Sequence, residues 1–202
     1  MRVPEIVDGR CPIPGAIVLG EERGLRYDVG VTRIYLTGFM GSGKTTVGRT
    51  LASALGIRFV DLDEWIVRSL GASIAEVFAR RGEVVFRDEE QRQLELTTRL
   101  DRAVVATGGG TYCFEANREL IRRSGGVSVF LELPWGVLLA RLPGKNADRP
   151  KFGDPETARR LYEERLPAYR QADVVLRLAG DERPADVARK VLERVGEAAC
   201  VS

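Results

Sequence analysis

The chain has 202 residues, 44% of them apolar and 30% charged, which suits one globular domain with room for an appendage. Its net charge is +2, its arginines are scattered and no apolar stretch reaches transmembrane length, so neither a nucleic-acid nor a membrane partner is expected. There is no histidine, which excludes a Ser-His-Asp triad and any histidine-held metal and leaves acid–base work to Asp, Glu, Lys or Arg-assisted groups.

Residues 1–32 stand apart from the rest. Pro4, Pro12, Pro14 and five glycines break any periodicity, with at most a short strand over Ala16–Leu19. Asp8, Glu21, Glu22 and Asp28 argue against a basic transit peptide, and the basic-then-apolar order of a signal peptide is missing, so a cytoplasmic location is expected. The segment reads as an extension, packed or mobile; a start codon assigned too early explains it equally well. Cys11, Cys113 and Cys200 are far apart and form neither metal spacing nor a disulfide framework.

From Arg33 onward the pattern alternates strand and helix, in a domain expected to span 33–202. A strand over Arg33–Thr37 leads into Gly38-Phe39-Met40-Gly41-Ser42-Gly43-Lys44-Thr45, and Val47, Leu51 and Leu55 then recur at helical spacing. This is the G-x-x-x-x-G-K-[ST] phosphate-binding loop in the strand–loop–helix context that the motif requires. Gly41, Ser42 and Gly43 let the backbone wrap a polyphosphate, with the helix N-terminus adding positive potential. Lys44 is expected to reach the β- and γ-phosphates, Thr45 to offer a hydroxyl to Mg²⁺, and Thr46 to lie beside them.

The second strand is Arg58–Asp61. Helical pieces follow over 64–70, 73–81 and 84–100, the second opened by a Ser73/Glu76 capping box. A third strand, Ala103–Thr107, runs into Gly108-Gly109-Gly110. Residues 115–123 read as helix, 127–133 as strand and 135–141 as helix. Residues 142–154 hold prolines, glycines and charges without periodicity and read as a loop. Pro155 opens a helix to about Gln171, then a strand over 173–178 and a helix over 184–197 complete the chain. Five apolar strands alternating with helices imply an α/β fold with a parallel sheet covered on both faces. Right-handed crossovers bring the phosphate loop, Asp61-Leu62-Asp63 and the triple glycine to one edge and one crevice.

Several residues there admit two readings. Asp61 and Asp63, two apart at a strand end, are expected to diverge, Asp61 toward Mg²⁺ and Asp63 toward an acceptor hydroxyl that it orients or deprotonates. Alternatively Asp63 caps the helix that starts at Glu64. Gly108, Gly109 and Gly110 permit a close backbone approach or form a flexible turn, with Thr107 near the metal or phosphates. Arg87 and Glu90 pair on a helix surface, or Arg87 forks onto a substrate carboxylate under the control of Glu90. Arg149 is either a solvated loop residue or a finger on the transferred phosphoryl group, and Arg165 either a surface residue or a second carboxylate clamp.

Taken together these residues resemble the shikimate kinase family. The resemblance spans roughly residues 33–196. It rests on the phosphate loop through Gly48, Asp61-Leu62-Asp63, Ile74-Ala75-Glu76-Val77-Phe78 with Gly82-Glu83, and Phe86-Arg87-Asp88-Glu89-Glu90. It continues through Ala106-Thr107 and the triple glycine, Asp148-Arg149-Pro150 and Arg165-Leu166-Pro167-Ala168-Tyr169. It implies a three-layer α/β/α P-loop kinase fold, related to nucleoside monophosphate kinases, with five parallel strands in the order 2-3-1-4-5. It implies transfer of the γ-phosphoryl of ATP, with Mg²⁺, to the 3-hydroxyl of shikimate in aromatic amino-acid biosynthesis. By the same resemblance Asp61 lies near Mg²⁺ and Asp63 engages the shikimate hydroxyls. Arg87 and Arg165 bind the shikimate carboxylate, and Gly108, Gly109 and Gly110 touch the substrate. Phe78 and Phe86 wall the ring, Arg141 lies by the adenine, and Arg149 reaches phosphate and substrate from a lid over about 143–154.

A monomer acting on a small molecule is the expectation. The chain departs from the family at Thr111 and Tyr112, where small or apolar residues are usual, and at Pro150-Lys151-Phe152-Gly153 after the lid arginine. A gluconate kinase is the nearest rival, but the paired carboxylate arginines argue against it. A nucleoside monophosphate kinase lacks support from any base-reading signal. A non-catalytic homologue would be expected to lose Lys44, Asp63 or Arg149, and all three are present.

Overall fold

The computed structural model describes residues 32–142 and 154–199. The extension up to Val31 and the lid segment 143–153, with Arg149 and Lys151, lie outside the described residues.

Five short strands form the sheet: β1 (Arg33–Thr37), β2 (Arg58–Asp61), β3 (Ala103–Ala106), β4 (Gly126–Glu132) and β5 (Val174–Arg177). All neighbouring pairs are parallel, in the order β2-β3-β1-β4-β5, as the resemblance implied. A sheet covered on both faces needs apolar residues on both, and β3, Ala-Val-Val-Ala, is buried at every position. Exposed Arg58 and Arg177 fall on the edge strands β2 and β5.

The helices are α1 (Lys44–Leu55), α2 (Leu62–Leu70), α3 (Ile74–Arg80), α4 (Gly82–Thr97), α5 (Glu115–Arg123), α6 (Trp135–Arg141), α7 (Pro155–Tyr169) and α8 (Pro184–Ala199). Helix α1 packs closely on α8, α2 and α3 lie along α4, and α5 covers β4. Their starts follow local chemistry. Ser73 and Glu76 form the expected capping box. Asp154 caps α7 by accepting from the amides of Glu156 and Thr157 at 2.9 and 2.8 Å, and Pro155 stands in the first turn.

Helix α4 ends three residues before its expected limit. Leu100 N–H returns to Thr97 O and Arg99 N–H to Leu96 O, tightening the chain into a turn before β3. One element was not expected at all: a 3₁₀ turn over Thr111–Cys113, directly after the triple glycine.

Candidate active site

The cavity lies along the strand C-termini and has a volume of about 740 Å³. Gly41 to Val47 form one wall. Gly41 and Gly43 take φ of 75° and 92°, the left-handed region where a side chain is strained. Gly43 is the N-cap of helix α1 and supplies no side-chain cap, which leaves the first amides of the helix available to an anion. The Lys44 ammonium arches back over the loop and donates to the carbonyls of Gly38 and Phe39 at 2.8 and 2.9 Å. Phe39 fixes the loop from beneath, edge-on to Tyr162 and Trp135.

Thr45 Oγ1 donates to Asp61 Oδ2 at 2.8 Å, which brings together the two expected metal-side residues. A hydroxyl and a carboxylate beside a phosphate loop fit Mg²⁺, a hard cation that takes one or two protein oxygens and completes its shell with phosphate and water. Among the described residues no cluster of three acidic, His or Cys side chains competes with this pair. Thr46 lies in the same wall. The Thr107 hydroxyl is directed elsewhere, donating to Leu36 O at 3.0 Å and pinning the end of β3 to β1.

The structure resolves the two readings of the aspartates, and the capping role falls to the other one. Asp61 is the N-cap of α2 and accepts from Glu64 N–H at 3.4 Å, whereas Asp63 sits inside the first helical turn. The two carboxylates do diverge, but not for the expected reason. Residues two apart on a strand share a face. Here the chain has already turned into a helix, and about 200° of rotation separates the side chains.

Asp63 is directed to the triple glycine, and so are both arginines. A Cβ placed on Gly108 would lie 2.7 Å from Asp63 Oδ1 and 3.1 Å from Glu90 Oε1. On Gly109 it would lie 3.5 Å from Arg165 Nη1, and on Gly110 2.9 Å from both terminal nitrogens of Arg87. Three consecutive glycines therefore lie against a carboxylate and two guanidinium groups in turn, and a methyl group at Gly108 or Gly110 would displace the end of the Asp63 or Arg87 side chain. The segment is thus a close backbone approach, and its second carbonyl is clamped. Gly109 O accepts from Arg165 Nη1 at 2.8 Å and from the Tyr169 hydroxyl.

Arg87 is not a surface residue paired at random. Its Nη1 donates to Glu90 Oε2 at 2.7 Å and its Nη2 to Glu83 at 3.2 Å, while Glu90 is only 1% exposed. Burial works against the Arg87 charge, but Glu90 and Glu83 outweigh it and hold the guanidinium pKa above its ordinary value. Burial also pushes the Glu90 carboxyl up. Arg87 and the Thr111 hydroxyl pull it back, and Asp63 adds a smaller upward push. The Arg87 guanidinium stacks 5.1 Å over the rings of Phe86 and Phe114, and Phe78 packs on Phe86 at 4.8 Å, so an apolar wall adjoins the charged one.

At the far end, Arg141 approaches Gly41 O at 3.4 Å and donates to Gly180 O. The turn after β5 is closed by Glu182, which accepts from the amides of Ala179 and Gly180 at 3.2 and 2.8 Å and from Lys190 at 3.1 Å. Burial pushes that carboxyl up, but the two amides and Lys190 prevail and bring it down to about 2. Sequence reasoning missed this turn, Phe114 and the role of Thr111. For Glu182 the only available signal was an acidic residue two after a glycine.

A family model for shikimate kinase matches residues 40–196. The shikimate kinase of Sulfurihydrogenibium sp. is 38% identical over 164 residues, 80% of this chain and 96% of that protein. That of Deinococcus radiodurans is 41% identical over 166 residues, 80% of this chain and 82% of its own. Among solved structures, the shikimate kinase from Acinetobacter baumannii in complex with shikimate is 37% identical. It covers 81% of this chain and 92% of its own, with a TM-score of 0.75. The family match spans the phosphate loop from Met40, Arg87, Arg165 and the triple glycine, and the chain belongs to the shikimate kinase family.

Proposed function

We propose that this chain transfers the γ-phosphoryl group of ATP to the 3-hydroxyl of shikimate, giving shikimate 3-phosphate and ADP. The observation that carries this reading is the succession of Asp63, Arg165 and Arg87 along Gly108, Gly109 and Gly110. It gives one acceptor site a carboxylate at the end where a hydroxyl must react and two guanidinium groups where a carboxylate must be held. The relative from Acinetobacter baumannii solved with shikimate supports the same acceptor.

In this reading the amides of Gly41 to Thr45 and the Lys44 ammonium bind the phosphates, and Arg141 flanks the adenine. Asp63 orients the 3-hydroxyl and takes its proton as the oxygen bonds to the γ-phosphorus and the bond to the β-phosphate oxygen breaks. Arg87 and Arg165 hold the carboxylate, with Phe78 and Phe86 against the ring. Thr45 and Asp61 would hold Mg²⁺, which would supply positive charge to offset that of the phosphates. Arg149, outside the described residues, is assigned to the transferring phosphate by resemblance alone.

Among the described residues no helix is long and apolar enough to cross a membrane. A cytoplasmic monomer, with residues 33–202 as the catalytic domain, completes the proposal. An ADP-release assay offering shikimate, quinate, gluconate and nucleoside monophosphates tests it. Shikimate is expected to win by at least about tenfold in kcat/KM, since loss of a hydroxyl or carboxylate match leaves buried polar groups unpaired. Equal or better turnover of gluconate overturns it.

A further inference from the structure

We propose that Thr111 is a positioning residue for the acceptor site: its hydroxyl fixes Glu90 and, through Glu90, the Arg87 fork that receives the substrate carboxylate. The inference rests on the acceptor reading above and adds to it a residue to which that reading gives no role. Thr111 is the first residue of the 3₁₀ turn and is fully buried. Its Oγ1 donates to Glu90 Oε1 at 2.7 Å, and the second oxygen of the same carboxylate accepts from Arg87 at 2.7 Å. With one partner on each oxygen, the carboxylate plane is set, and so is the line along which Arg87 leaves it.

Thr111 is itself anchored. Its carbonyl accepts from Asn117 Nδ2 at 2.9 Å, and a Cβ on Gly108 would come within 3.0 Å of its hydroxyl. The same point near Gly108 is approached by Asp63 and Glu90, so the hydroxyl sits where the two acidic groups converge.

The groups facing Glu90 come from several elements. Arg87 lies on its own helix, Asp63 on α2, and Thr111 and the half-buried Cys113 thiol on the 3₁₀ turn. Arg165 on α7 reaches the adjoining Gly109. In this set the Thr111 hydroxyl is the uncharged group that donates a hydrogen bond to Glu90. Valine has nearly the same shape and no donor, so Thr111→Val leaves one buried carboxylate oxygen without its bond. The charged form of Glu90 then becomes costlier, its protonation persists to higher pH, and a protonated Glu90 no longer holds Arg87 in line.

The test compares wild type, Thr111→Val and Thr111→Ser. Steady-state kinetics run from acid to neutral pH, and the Glu90 carboxyl titration is followed by ¹³C NMR in the unliganded protein. Thr111→Val is expected to raise the shikimate KM about tenfold and leave the ATP KM unchanged. The acid limb of kcat/KM for shikimate and the Glu90 titration are both expected to move to higher pH, and Thr111→Ser to restore both. An unmoved titration, an unmoved shikimate KM, equal rises in both KM values or failure of serine to restore them each overturns the proposal. A wild-type enzyme inert toward shikimate removes the functional reading instead, and the titration still decides whether Thr111 governs Glu90.

Discussion

The phosphate end and the acceptor end of the site are built from different materials. The phosphate end is mostly backbone: eight consecutive residues, three glycines of positive φ and the start of α1, which has no side-chain cap. The acceptor end is mostly side chains, gathered from α2, α4, the 3₁₀ turn and α7 against three glycines whose task is to be small. Backbone amides are present whatever the neighbouring side chains are. A buried guanidinium or carboxylate works only while its counter-groups stay in place. Substitutions at the acceptor end should therefore be severe and selective for the acceptor, and substitutions around the nucleotide milder and selective for ATP.

The severest expected case is Asp63→Asn. The amide keeps the shape and loses the proposed base, so kcat should fall by about 10²–10⁴-fold while ATP affinity stays near wild type. Steady-state turnover with a parallel ATP titration decides it, and an undiminished kcat removes Asp63 from the chemistry. Arg87→Lys comes next. Lysine keeps a charge but not the fork that serves Glu90 and Glu83 and, in the proposed reading, a substrate carboxylate as well. The shikimate KM should rise roughly tenfold or more with little change for ATP. Equal changes for both substrates would mean that the two ends are not separable in this way.

The same contrast governs what the sequence disclosed. The phosphate loop was legible because it is contiguous, and each of its residues has a local reason to be there. The sheet was legible because strands buried on both faces read as short apolar runs such as Ala103–Ala106. At the acceptor end the residues were nameable but their arrangement was not. Three glycines are a weak signal until Asp63, Arg165 and Arg87 are seen against them. The spacing of Asp61 and Asp63 misled, because a strand-based argument was applied where the chain had already become helical. Thr111 is 21 residues from Glu90, and Tyr112 is 16 from Ser128, its buried hydrogen-bond partner; no local pattern links either pair. Glu182 was hidden for the opposite reason: its partners are mainly backbone amides, which sequence cannot single out.

Glu182 supplies the mildest and most discriminating case. Its carboxylate closes the turn that carries Gly180, and Gly180 O receives Arg141, so the charge acts on the nucleotide end without touching the acceptor wall. In Glu182→Gln one accepting oxygen is replaced by an NH₂ group that faces a backbone N–H, and the turn loosens. The ATP KM should rise about two- to fivefold with the shikimate KM unmoved, the mirror image of the Arg87 result. The pH dependence fixes the cause. The carboxyl is held down to about 2 from an ordinary 4.5, so its stabilising effect is fully present above the ordinary value and is lost as the pH falls toward the lower one. Wild type should therefore melt above Glu182→Gln near neutrality, with the gap narrowing as the pH falls below about 4. A constant gap would assign the difference to shape rather than charge, and a rise in the shikimate KM would show that the turn is coupled to the acceptor end after all.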